Sequence, residues 1–549
     1  MSAVTEHWVH PNWFQVHMGG FPAQLGVLSL EQKVEFFDLN RSLFLMESSM
    51  AVEFVNAFFA EPELNASQEG IEATLYSLRR LLEASPINAS VLQCAAGVLN
   101  SPELERLAER VRSLAVPEHL TRLFDKGCPR DRERHELLKL LDETPYHLGA
   151  AERLLNMGTH TGETPDDWLP RFICPPPLTT IWTRALFLHY ARCGFSAKAL
   201  ELWPEVRKAS PGAYCLTMAG CAFMQEGEAE RGASLLRAAL EDDPSLVPVR
   251  MRLEEYEHPL RPSNSLAEER SVVICIFSWN RGEDLEQTLR SIAASRLGKA
   301  KVRLLLNGCT DDSAARVERT REAFGQTDFA MVSLPVNVGV AAARNWLLTL
   351  PETQQADYVV FADDDIVVQE DWLASMLTVA EADPDIGVVG AKAVSTPVAP
   401  GRSKLQYMYR TLGIDLPGLF TLTLSVPDAH LFDNGLYSFT RECLTVMGCL
   451  ILLRGDILRK VGGFDIQFNP SQVEDTDHDL AVVLGGYKVV YCGNVTVVHN
   501  RNSSSSRPHH PASIWLNHLK MGCKRLADVP RLRDISRQLV DASSGGGHG

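Results

Sequence analysis

The sequence predicts two domains of different class: an all-helical N-terminal half and an α/β C-terminal domain with a mostly parallel sheet. At 549 residues the chain is too long for one ordinary core. From about Leu30 to Leu253 apolar residues recur at helical spacing, as in YSLRRLLEAS (76–85). Beyond residue 265 strand patterns alternate with helical patterns, beginning with VVICIF (272–277). Such alternation is typical of a sheet covered by helices on both faces.

Composition and charge exclude several classes of protein. Hydrophobic residues form 45% of the chain and charged residues 22%, as in soluble globular proteins. The formal net charge of −16 argues against nucleic-acid binding, because phosphate recognition depends on clustered Lys and Arg. We expect no membrane span and no signal peptide, and therefore a cytoplasmic protein. The twelve cysteines lack the paired spacing of metal ligands, so we expect reduced, mostly buried thiols.

The helical half, residues 1–262, contains an internal repeat with an offset of 33 residues. Its marker residues are Gly194, Ala199-Leu200 and Pro211, which recur as Gly227, Gly232-Ala233 and Pro244. The offset predicts two aligned helix pairs and resembles tetratricopeptide repeats, whose period is about 34 residues. Gly and Pro near 160–180 divide the half into two possible sub-blocks. Such repeats present a concave surface to polypeptides, but a structural or dimerising role fits the sequence equally well, and the oligomeric state stays open.

A polar, proline-containing segment at 257–271 separates the two halves. We expect the α/β domain to span 268–530 and a flexible Ser/Gly-rich tail to occupy 541–549. The predicted strands are 272–277, 301–307, 329–335 and the run that ends at 362, and the predicted helices between them are 283–295, 312–324 and 340–350. Because ligands bind at the carboxyl ends of parallel strands, those ends are the place to look for chemistry.

Three carboxylates follow one of these strands in FADDDI (361–366). Asp363, Asp364 and Asp365 repel one another unless a cation lies among them, and their hard oxygen atoms suit Mg²⁺ or Mn²⁺. In an extended backbone Asp363 and Asp365 point to one side and Asp364 to the other. The alternative interpretation is a solvated acidic turn that caps the following helix.

Several segments together resemble the family 2 glycosyltransferases of the GT-A (Rossmann-like) fold. FSWNR (277–281) is similar to the family's T-Y-N-R, LLNGCTDDS (305–313) to its D-D-G-S-T-D-x-S, and NVGVAAARN (337–345) to its N-x-G-x-x-x-A-R-N. Asn307 stands where many members have an Asp that contacts the nucleobase. The resemblance implies a nucleotide-diphosphate sugar as donor. It implies donor contacts from the following residues: Ser278, Asn280, Arg281, Asn307, Asp311, Asn337, Gly339, Arg344, Asp363 and Asp364.

A second group of segments resembles the acceptor side of the same family. TVMGCLILLRGDILRKVGGFD (445–465) is similar to a small-residue strand followed by a G-G-F-D turn, and VEDTDHDL (473–480) to the family's E-D-x-D-L. The resemblance makes Asp475 the first candidate for the general base, with Glu474 second. Simple charge capping of a helix N-terminus is the alternative interpretation.

His499 ends the strand pattern NVTVVHN (494–500), and the resemblance suggests that it completes a metal site with Asp365 and Asp363. A packed or surface histidine is the alternative. The following run, SSSSRPHHP (503–511), has the composition of a mobile loop that could close over a nucleotide. The aromatic-rich insertion at 396–440 is expected to contribute to acceptor recognition.

The resemblance therefore implies an inverting glycosyltransferase, and the acidic residues predict a metal-dependent one with Mn²⁺ or Mg²⁺ as cofactor. The helical half suggests a polypeptide acceptor, such as flagellin or another surface polypeptide. A polysaccharide or lipid-linked sugar is the competing acceptor. A helical-repeat scaffold with an inactive transferase domain is an alternative of another class. A nucleotidyltransferase fits less well, because no Gly/Lys/Arg-rich phosphate loop follows VVICIF.

Overall fold

A computed structural model describes residues 25–26, 28–41, 48–61, 63–412, 424–425, 431–500 and 511–543. These residues form two compact units. One contains the described residues up to Val249 together with Leu431–Leu436, and the other contains the described residues from Arg250 onward apart from that segment. Within the described ranges, no helix is both long and apolar enough to cross a bilayer.

The first unit is built of α-helices, as the helical spacing of its apolar residues predicts. Their bounds are Leu30–Arg41 (α1), Ser48–Phe59 (α2), Gln68–Ala84 (α3), Ala89–Leu99 (α4), Pro102–Ser113 (α5), Glu118–Asp125 (α6), Arg130–Glu143 (α7), Leu148–Thr161 (α8), Thr179–Arg192 (α9), Ser196–Lys208 (α10), Ala213–Gln225 (α11) and Ala229–Asp242 (α12). A further helix, Val247–Glu257 (α13), begins at the end of this unit. The interruption predicted near 160–180 is the non-α segment between α8 and α9, which contains only short 3₁₀ turns.

The 33-residue offset corresponds to two successive helix pairs, α9–α10 and α11–α12. Gly194 and Gly227 make the turn in each pair with φ of 72° and 83°, a conformation that glycine adopts without strain. Gly232 lies where α12 crosses α11, and a Cβ there would be 2.6 Å from the carbonyl oxygen of Gly220. Small residues therefore allow the close crossing. The likeness to tetratricopeptide repeats stays a prediction.

The second unit contains a ten-stranded sheet. The strands of the unit are Val272–Ser278 (β1), Lys301–Asn307 (β2), Phe329–Leu334 (β3), Tyr358–Ala362 (β4), Ile366–Val367 (β5), Ile386–Ser395 (β6), Leu405–Tyr407 (β7), Tyr409–Leu412 (β8), Leu424–Ser425 (β9), Thr440–Cys443 (β10), Thr445–Val446 (β11), Leu450–Arg454 (β12) and Lys488–His499 (β13). The main order is β10-β13-β6-β12-β4-β1-β2-β3, with β5 beside β13 and β7 beside β6, and β11-β8-β9 form a separate small sheet.

The sheet is parallel in one half and mixed in the other. Strands β3, β2, β1 and β4 are parallel, as the alternating pattern predicts. Strand β12 runs antiparallel to both β4 and β6, whereas β13 is parallel to β6 and antiparallel to β10. The prediction of a mostly parallel sheet therefore holds for β3, β2, β1 and β4, whereas the sheet as a whole is mixed.

Helices cover both faces of this sheet. They are Leu266–Glu269 (α14), Gly282–Ala293 (α15), Ser313–Thr320 (α16), Val340–Leu348 (α17), Pro351–Gln355 (α18), Trp372–Glu381 (α19), Gly455–Val461 (α20), Glu474–Leu484 (α21), Pro511–Arg525 (α22) and Val529–Ser543 (α23). Alternate residues of β1, such as Ile274 and Ile276, pack with α15 and α19 in one apolar core. On the other face, Gly387 of β6 lies against Val482 of α21 and Ile457 of α20.

Several predictions fall on residues outside the described ranges. They concern most of the 503–511 loop, the end of the 541–549 tail and parts of the 396–440 insertion. All twelve cysteines are described and form no disulfide, and seven of them are buried.

Candidate active site

The acidic triplet lies where β4 ends in the middle of the sheet. Asp363 donates its backbone N–H to the carbonyl of Cys449 (2.9 Å), which keeps it beside β12. The chain then forms β5, which pairs with the last residues of β13, so that Ile366 lies opposite His499. Asp364 and Asp365 are buried, which excludes the interpretation of the triplet as a solvated turn.

Asp363, Asp365 and His499 come together at this point. Each offers a ligand atom, and these atoms lie within 4.8 Å of one another. The Nε2 atom of His499 is 3.2 Å from Oδ1 of Asp365. Asp364 is not part of this group, and its Oδ2 accepts a hydrogen bond from Ser278 Oγ (2.5 Å).

Gln406 orients the histidine, and no sequence motif indicated it. Its Oε1 is 2.9 Å from His499 Nδ1, and its Nε2 donates to the carbonyl of His499 (3.2 Å). Holding one ring nitrogen leaves the other, Nε2, directed at the carboxylates. Gln406 lies on β7 within the 396–440 insertion. The sequence predicted only acceptor recognition for this insertion.

The triplet's charges are balanced by neighbouring side chains. Arg281 forms an ion pair with Asp365 and lies 3.7 Å from Oδ1 of Asp364. Although burial opposes ionisation of Asp365, hydrogen bonds and charge from His499 and Arg281 lower its pKa. Burial, together with the charge of Asp365, raises the pKa of Asp364. The site therefore presents an ionised Asp365 next to a more proton-retaining Asp364.

The first turn of α21 supplies a second acidic group. Oδ2 of Asp475 accepts a hydrogen bond from the Gly448 N–H (2.9 Å), and Oδ1 accepts one from Thr476 (2.7 Å). Asp475 is partly exposed, whereas Glu474 is only 5% exposed. Burial raises the pKa of Glu474 to about 7. Of these two carboxylates, Asp475 is the one that a substrate can reach.

Asp477, also in the first turn, faces away from this group. It is buried and paired with Lys524 and Arg525 of α22. Its described ion pairs are therefore with α22.

Arg344 connects the two acidic groups. Its side chain is 2% exposed, and its guanidinium lies 3.6 Å from Oδ1 of Asp363 and 3.5 Å from Oε1 of Glu474. It also donates to the carbonyl of Gly448 (2.9 Å). The sequence allowed Arg344 to bind either a diphosphate or a carboxylate, and in the structure it lies beside carboxylates. Its contact with the donor stays a prediction.

The remaining predicted donor residues lie together at the carboxyl ends of β1, β2 and β3. Asn307 accepts a hydrogen bond from the Val338 N–H (3.0 Å) and donates to Asn337 Oδ1 (2.9 Å). Asn337 Oδ1 also accepts from the Gly339 N–H (2.8 Å). The amide of Asn307 therefore shapes the loop after β3, and an Asp could not donate the bond to Asn337.

The loop after β1 is shaped in a similar way. Asn280, with φ of 55°, accepts hydrogen bonds from the backbone N–H groups of Thr310 (2.6 Å) and Asp311 (3.2 Å). Asp311 in turn accepts from the Gly282 N–H (3.1 Å). Burial opposes ionisation of Asp311, but hydrogen bonds from Ser313 and backbone N–H groups lower its pKa. These side chains fix the loops that border the site.

The architecture is that of an α/β domain whose polar side chains converge at the carboxyl ends of its strands. Residues 271–436 match the model of the family described as "Glycosyl transferase family 2". This part of the chain therefore resembles a family 2 glycosyltransferase domain, as the ordered motifs predicted. The match includes the acidic triplet and Arg344, but it ends before Asp475 and His499.

Two curated relatives illustrate the similarity. Over 197 residues, 36% of this chain and 55% of the relative, the chain is 23% identical to "Glucosyl-dolichyl phosphate glucuronosyltransferase" of Haloferax volcanii. Over 134 residues, 24% of this chain and 31% of the relative, it is 26% identical to "Poly-beta-1,6-N-acetyl-D-glucosamine synthase" of Staphylococcus aureus. The chain thus spans about half of the first relative and less than a third of the second.

Solved structures with similarity to the chain include a mannosyltransferase from Pyrobaculum calidifontis in complex with GDP-Man and Mn²⁺. It has 17% identity and a TM-score of 0.33, with 58% of this chain and 87% of that chain covered. TarS of S. aureus, residues 1–349, has 16% identity and a TM-score of 0.29, with 42% and 60% covered.

Proposed function

We propose that the protein is a glycosyltransferase that moves a sugar from a nucleotide-diphosphate sugar to an acceptor hydroxyl with inversion of configuration. The observation that carries the proposal is the convergence of Asp363, Asp365 and His499 at the end of β4, a strand within the residues that match the family 2 model. Arg344 joins this group to the helix that bears Asp475. Donor activation and removal of the acceptor's proton are separate tasks, and each requires carboxylates in different surroundings.

Mn²⁺ or Mg²⁺ is the proposed cofactor, held by Asp365, Asp363 and His499. The donor set fits such an ion, because it offers two carboxylates and a buried imidazole oriented by Gln406. A bound divalent ion neutralises negative charge on a diphosphate, which favours its departure from the sugar. Arg281, now paired with Asp365, is close enough to add positive charge on the same side.

Asp475 is the proposed general base. Its two backbone hydrogen bonds fix the carboxylate, and its partial exposure leaves it open to an acceptor hydroxyl. As the hydroxyl oxygen attacks the anomeric carbon, its proton passes to Asp475 and the bond to the diphosphate oxygen breaks. Attack opposite to the leaving group inverts the anomeric carbon in one step, so no covalent enzyme intermediate is needed.

The proposed donor site lies between the loops after β1, β2 and β3. Ser278, Asn280, Asn307 and Asn337 shape these loops through the hydrogen bonds described above. Close packing at Gly339 supports the same arrangement: its φ is 83°, and an added Cβ would lie 2.5 Å from Asn469.

For the acceptor, we propose a polypeptide bound by the helical unit, and a cytoplasmic site of reaction. The unit's paired helices are consistent with a peptide-binding surface, and the free cysteines are consistent with a reducing compartment. The competing acceptor is a polysaccharide or lipid-linked sugar. The names of the two curated relatives favour that alternative.

Donor binding is tested by thermal shift with UDP- and GDP-sugars, each with Mn²⁺ or with EDTA. A donor at 100 times its Kd raises native stability by about 2.7 kcal/mol. We expect donors with one of the two nucleobases to stabilise the protein in Mn²⁺ and to lose most of this effect in EDTA. The proposal fails if no donor binds with metal present. The inactive-scaffold alternative would instead show no metal-dependent donor hydrolysis.

The acceptor class is tested by comparing the full chain with a variant that lacks residues 1–249, which precede the second unit. We expect both proteins to hydrolyse the donor slowly, which verifies that the catalytic unit is folded. Transfer to polypeptides should be lost in the shortened variant. Equal transfer by both proteins to a glycan or polyprenyl-linked sugar would favour the competing acceptor.

A further inference from the structure

The segment 465–473, directly before α21, has an unusual backbone. Gln472 and Val473 both have φ of 79°. Positive φ is rare outside glycine and is least favourable for β-branched residues such as Val. Val473 is the residue that caps α21, immediately before Glu474 and Asp475. Surrounding contacts must therefore hold this conformation in place.

Helix α22 supplies contacts to this segment. Asn517, 1% exposed, directs its side-chain amide at three carbonyl oxygens of the segment. They belong to Phe468 (2.6 Å), Ser471 (2.9 Å) and Gln472 (3.2 Å). One turn further, Lys520 donates to the carbonyl of Gln467 (2.6 Å).

The last turn of α22 extends the contact to α21 itself. Lys524 bridges Asp465 (2.6 Å) and Asp477 (2.7 Å). Arg525 donates to both the side chain (2.8 Å) and the carbonyl (2.9 Å) of Asp477. The contacts come from one side of α22, because the contributing residues are adjacent or three to four positions apart. They are Asn517, Lys520, Lys524 and Arg525.

The opposite side of the segment contacts the loop after β3. The carbonyl of Pro470 accepts a hydrogen bond from Val340 N–H (2.8 Å), and Asn469 donates to the carbonyl of Val338 (2.9 Å). The segment thus lies between the proposed donor loop and the helix of the proposed base. A shift in it would displace Asp475 from its hydrogen bond with Gly448.

We infer that α22 positions the general base, and that Asn517, Lys524 and Arg525 are positioning residues for the transfer reaction. The inference rests on the proposed function, since it assigns these residues to the same site. None of them contacts the acidic triplet through a described hydrogen bond or ion pair. They act through segment 465–473 and Asp477, which set the position and the start of α21.

The test is Asn517→Asp, which keeps the shape of the side chain but replaces its donor with an acceptor facing three carbonyl oxygens. Amide hydrogen exchange in 466–480 should accelerate by about tenfold or more. Transfer kcat should fall at least tenfold, while the Kd for the nucleotide in Mn²⁺ stays within about twofold. Leu516→Ala is the matched control, because Leu516 is the preceding residue and is 54% exposed. It should change none of these quantities.

A second pair of variants covers the case in which Asn517→Asp does not fold. Lys524 is partly exposed, so Lys524→Ala should fold and show the same split between kcat and nucleotide Kd. Lys524→Arg, which retains the charge, should restore much of the rate. Unchanged exchange in 466–480 and unchanged kcat in a folded Asn517→Asp or Lys524→Ala protein would overturn the inference.

The exchange measurement separates this inference from the proposed function. If wild-type protein transfers no sugar, the proposed function fails, yet faster exchange in 466–480 of the variants would still show that α22 holds the segment. If transfer is present and neither exchange nor kcat responds, only the inference about α22 is wrong.

Discussion

Asp475 and Glu474 are adjacent carboxylates in different surroundings, and the difference defines what each can do. Two backbone hydrogen bonds stabilise the Asp475 carboxylate, and the residue is partly exposed. Glu474 is buried against Arg344, and its Oε2 has no hydrogen-bond partner among the described residues. We therefore assign proton transfer to Asp475, and to Glu474 the task of balancing the buried charge of Arg344.

Replacing Asp475 by Asn tests this assignment. An Asn side chain can still accept the Gly448 hydrogen bond but cannot take up a proton. Transfer kcat should fall about 10²- to 10⁴-fold, the usual contribution of a general base. Nucleotide Kd should stay within about twofold, as measured by calorimetry. A larger loss of kcat in Glu474→Gln, with normal turnover in Asp475→Asn, would make Glu474 the base.

The sequence predicted the residues of the site that lie in contiguous motifs but not those brought in from elsewhere. Asp363, Asp365 and Asp475 stand at strand and helix ends, where local patterns are informative. Gln406 was missed because β7 is a short strand in an insertion, and its contact with His499 spans 93 residues of sequence. Such long-range pairs leave no signal in a single sequence.

Gln406 should control metal affinity without being a ligand. Replacing it by Leu removes the partner of His499 Nδ1, so the ring loses its fixed orientation. Loss of such a partner typically weakens metal binding by about 10- to 100-fold. Titration with Mn²⁺, followed by electron paramagnetic resonance, measures the change. Gln355→Leu, at an exposed position of α18, is the control and should bind Mn²⁺ normally. Equal affinity of both variants would contradict a metal site at His499.

At the scale of elements, the limits of a strand were predicted best where the strand is a long apolar run. Strands β1, β2 and β4 are largely apolar runs, and the predicted limits of β1 and β2 and the predicted end of β4 agree with the structure to within about one residue. The antiparallel insertion of β12 between β4 and β6 was not predicted, because strand order depends on contacts across the whole domain. The role of α22 was missed for the same reason, since its partners lie 45 or more residues away.

Two glycines in helices of the first unit should respond oppositely to alanine. At Gly232 an added Cβ would lie 2.5 Å from Met224 Cγ and 2.6 Å from the carbonyl of Gly220, so α11 and α12 must separate. Gly232→Ala should lower the free energy of unfolding by about 1–3 kcal/mol. At Gly97 a Cβ meets nothing within 4 Å, and Gly97→Ala should raise the free energy by about 0.5–1 kcal/mol.

Urea denaturation of the full chain, monitored by far-UV circular dichroism, measures both changes. The two variants control for each other, because each replaces a helical glycine by alanine within the same unit. Equal stability of Gly232→Ala and wild type would mean that the α11–α12 crossing is looser than the structure shows.

At the scale of the whole molecule, two units of different class carry their own buried charges. In the helical unit Arg80 pairs with Glu83 and Asp243, and Tyr76 donates to the same Asp243 (2.7 Å). These residues connect α3 to the end of α12, more than 150 positions along the chain. In the catalytic unit the buried charges surround Arg344 and Arg281. Arg80, Arg344 and the partly exposed Arg281 all lie beside carboxylates, as the cost of desolvating buried charges requires.

Glu152 of α8 differs from these groups, because it forms no ion pair with another described residue. Burial alone raises its pKa to about 7, above the ordinary value of 4.5. The folded state therefore binds a proton more tightly than the unfolded state. This contribution to stability is complete below about pH 4.5 and is lost as the pH rises through 7.

Glu152→Gln, which cannot ionise, should consequently be more stable than wild type at pH 8 and closer to it at pH 5. Since the side chain is partly accessible, we expect a gain of about 1 kcal/mol at pH 8 rather than the full free energy that a pKa rise from 4.5 to about 7 would give. Urea denaturation of both proteins at pH 5 and pH 8 measures the difference. Glu109→Gln on α5 is a control, because Glu109 is an exposed glutamate of the same unit. A gain that is equal at both pH values would show that the amide improves packing, not that ionisation of Glu152 opposes folding.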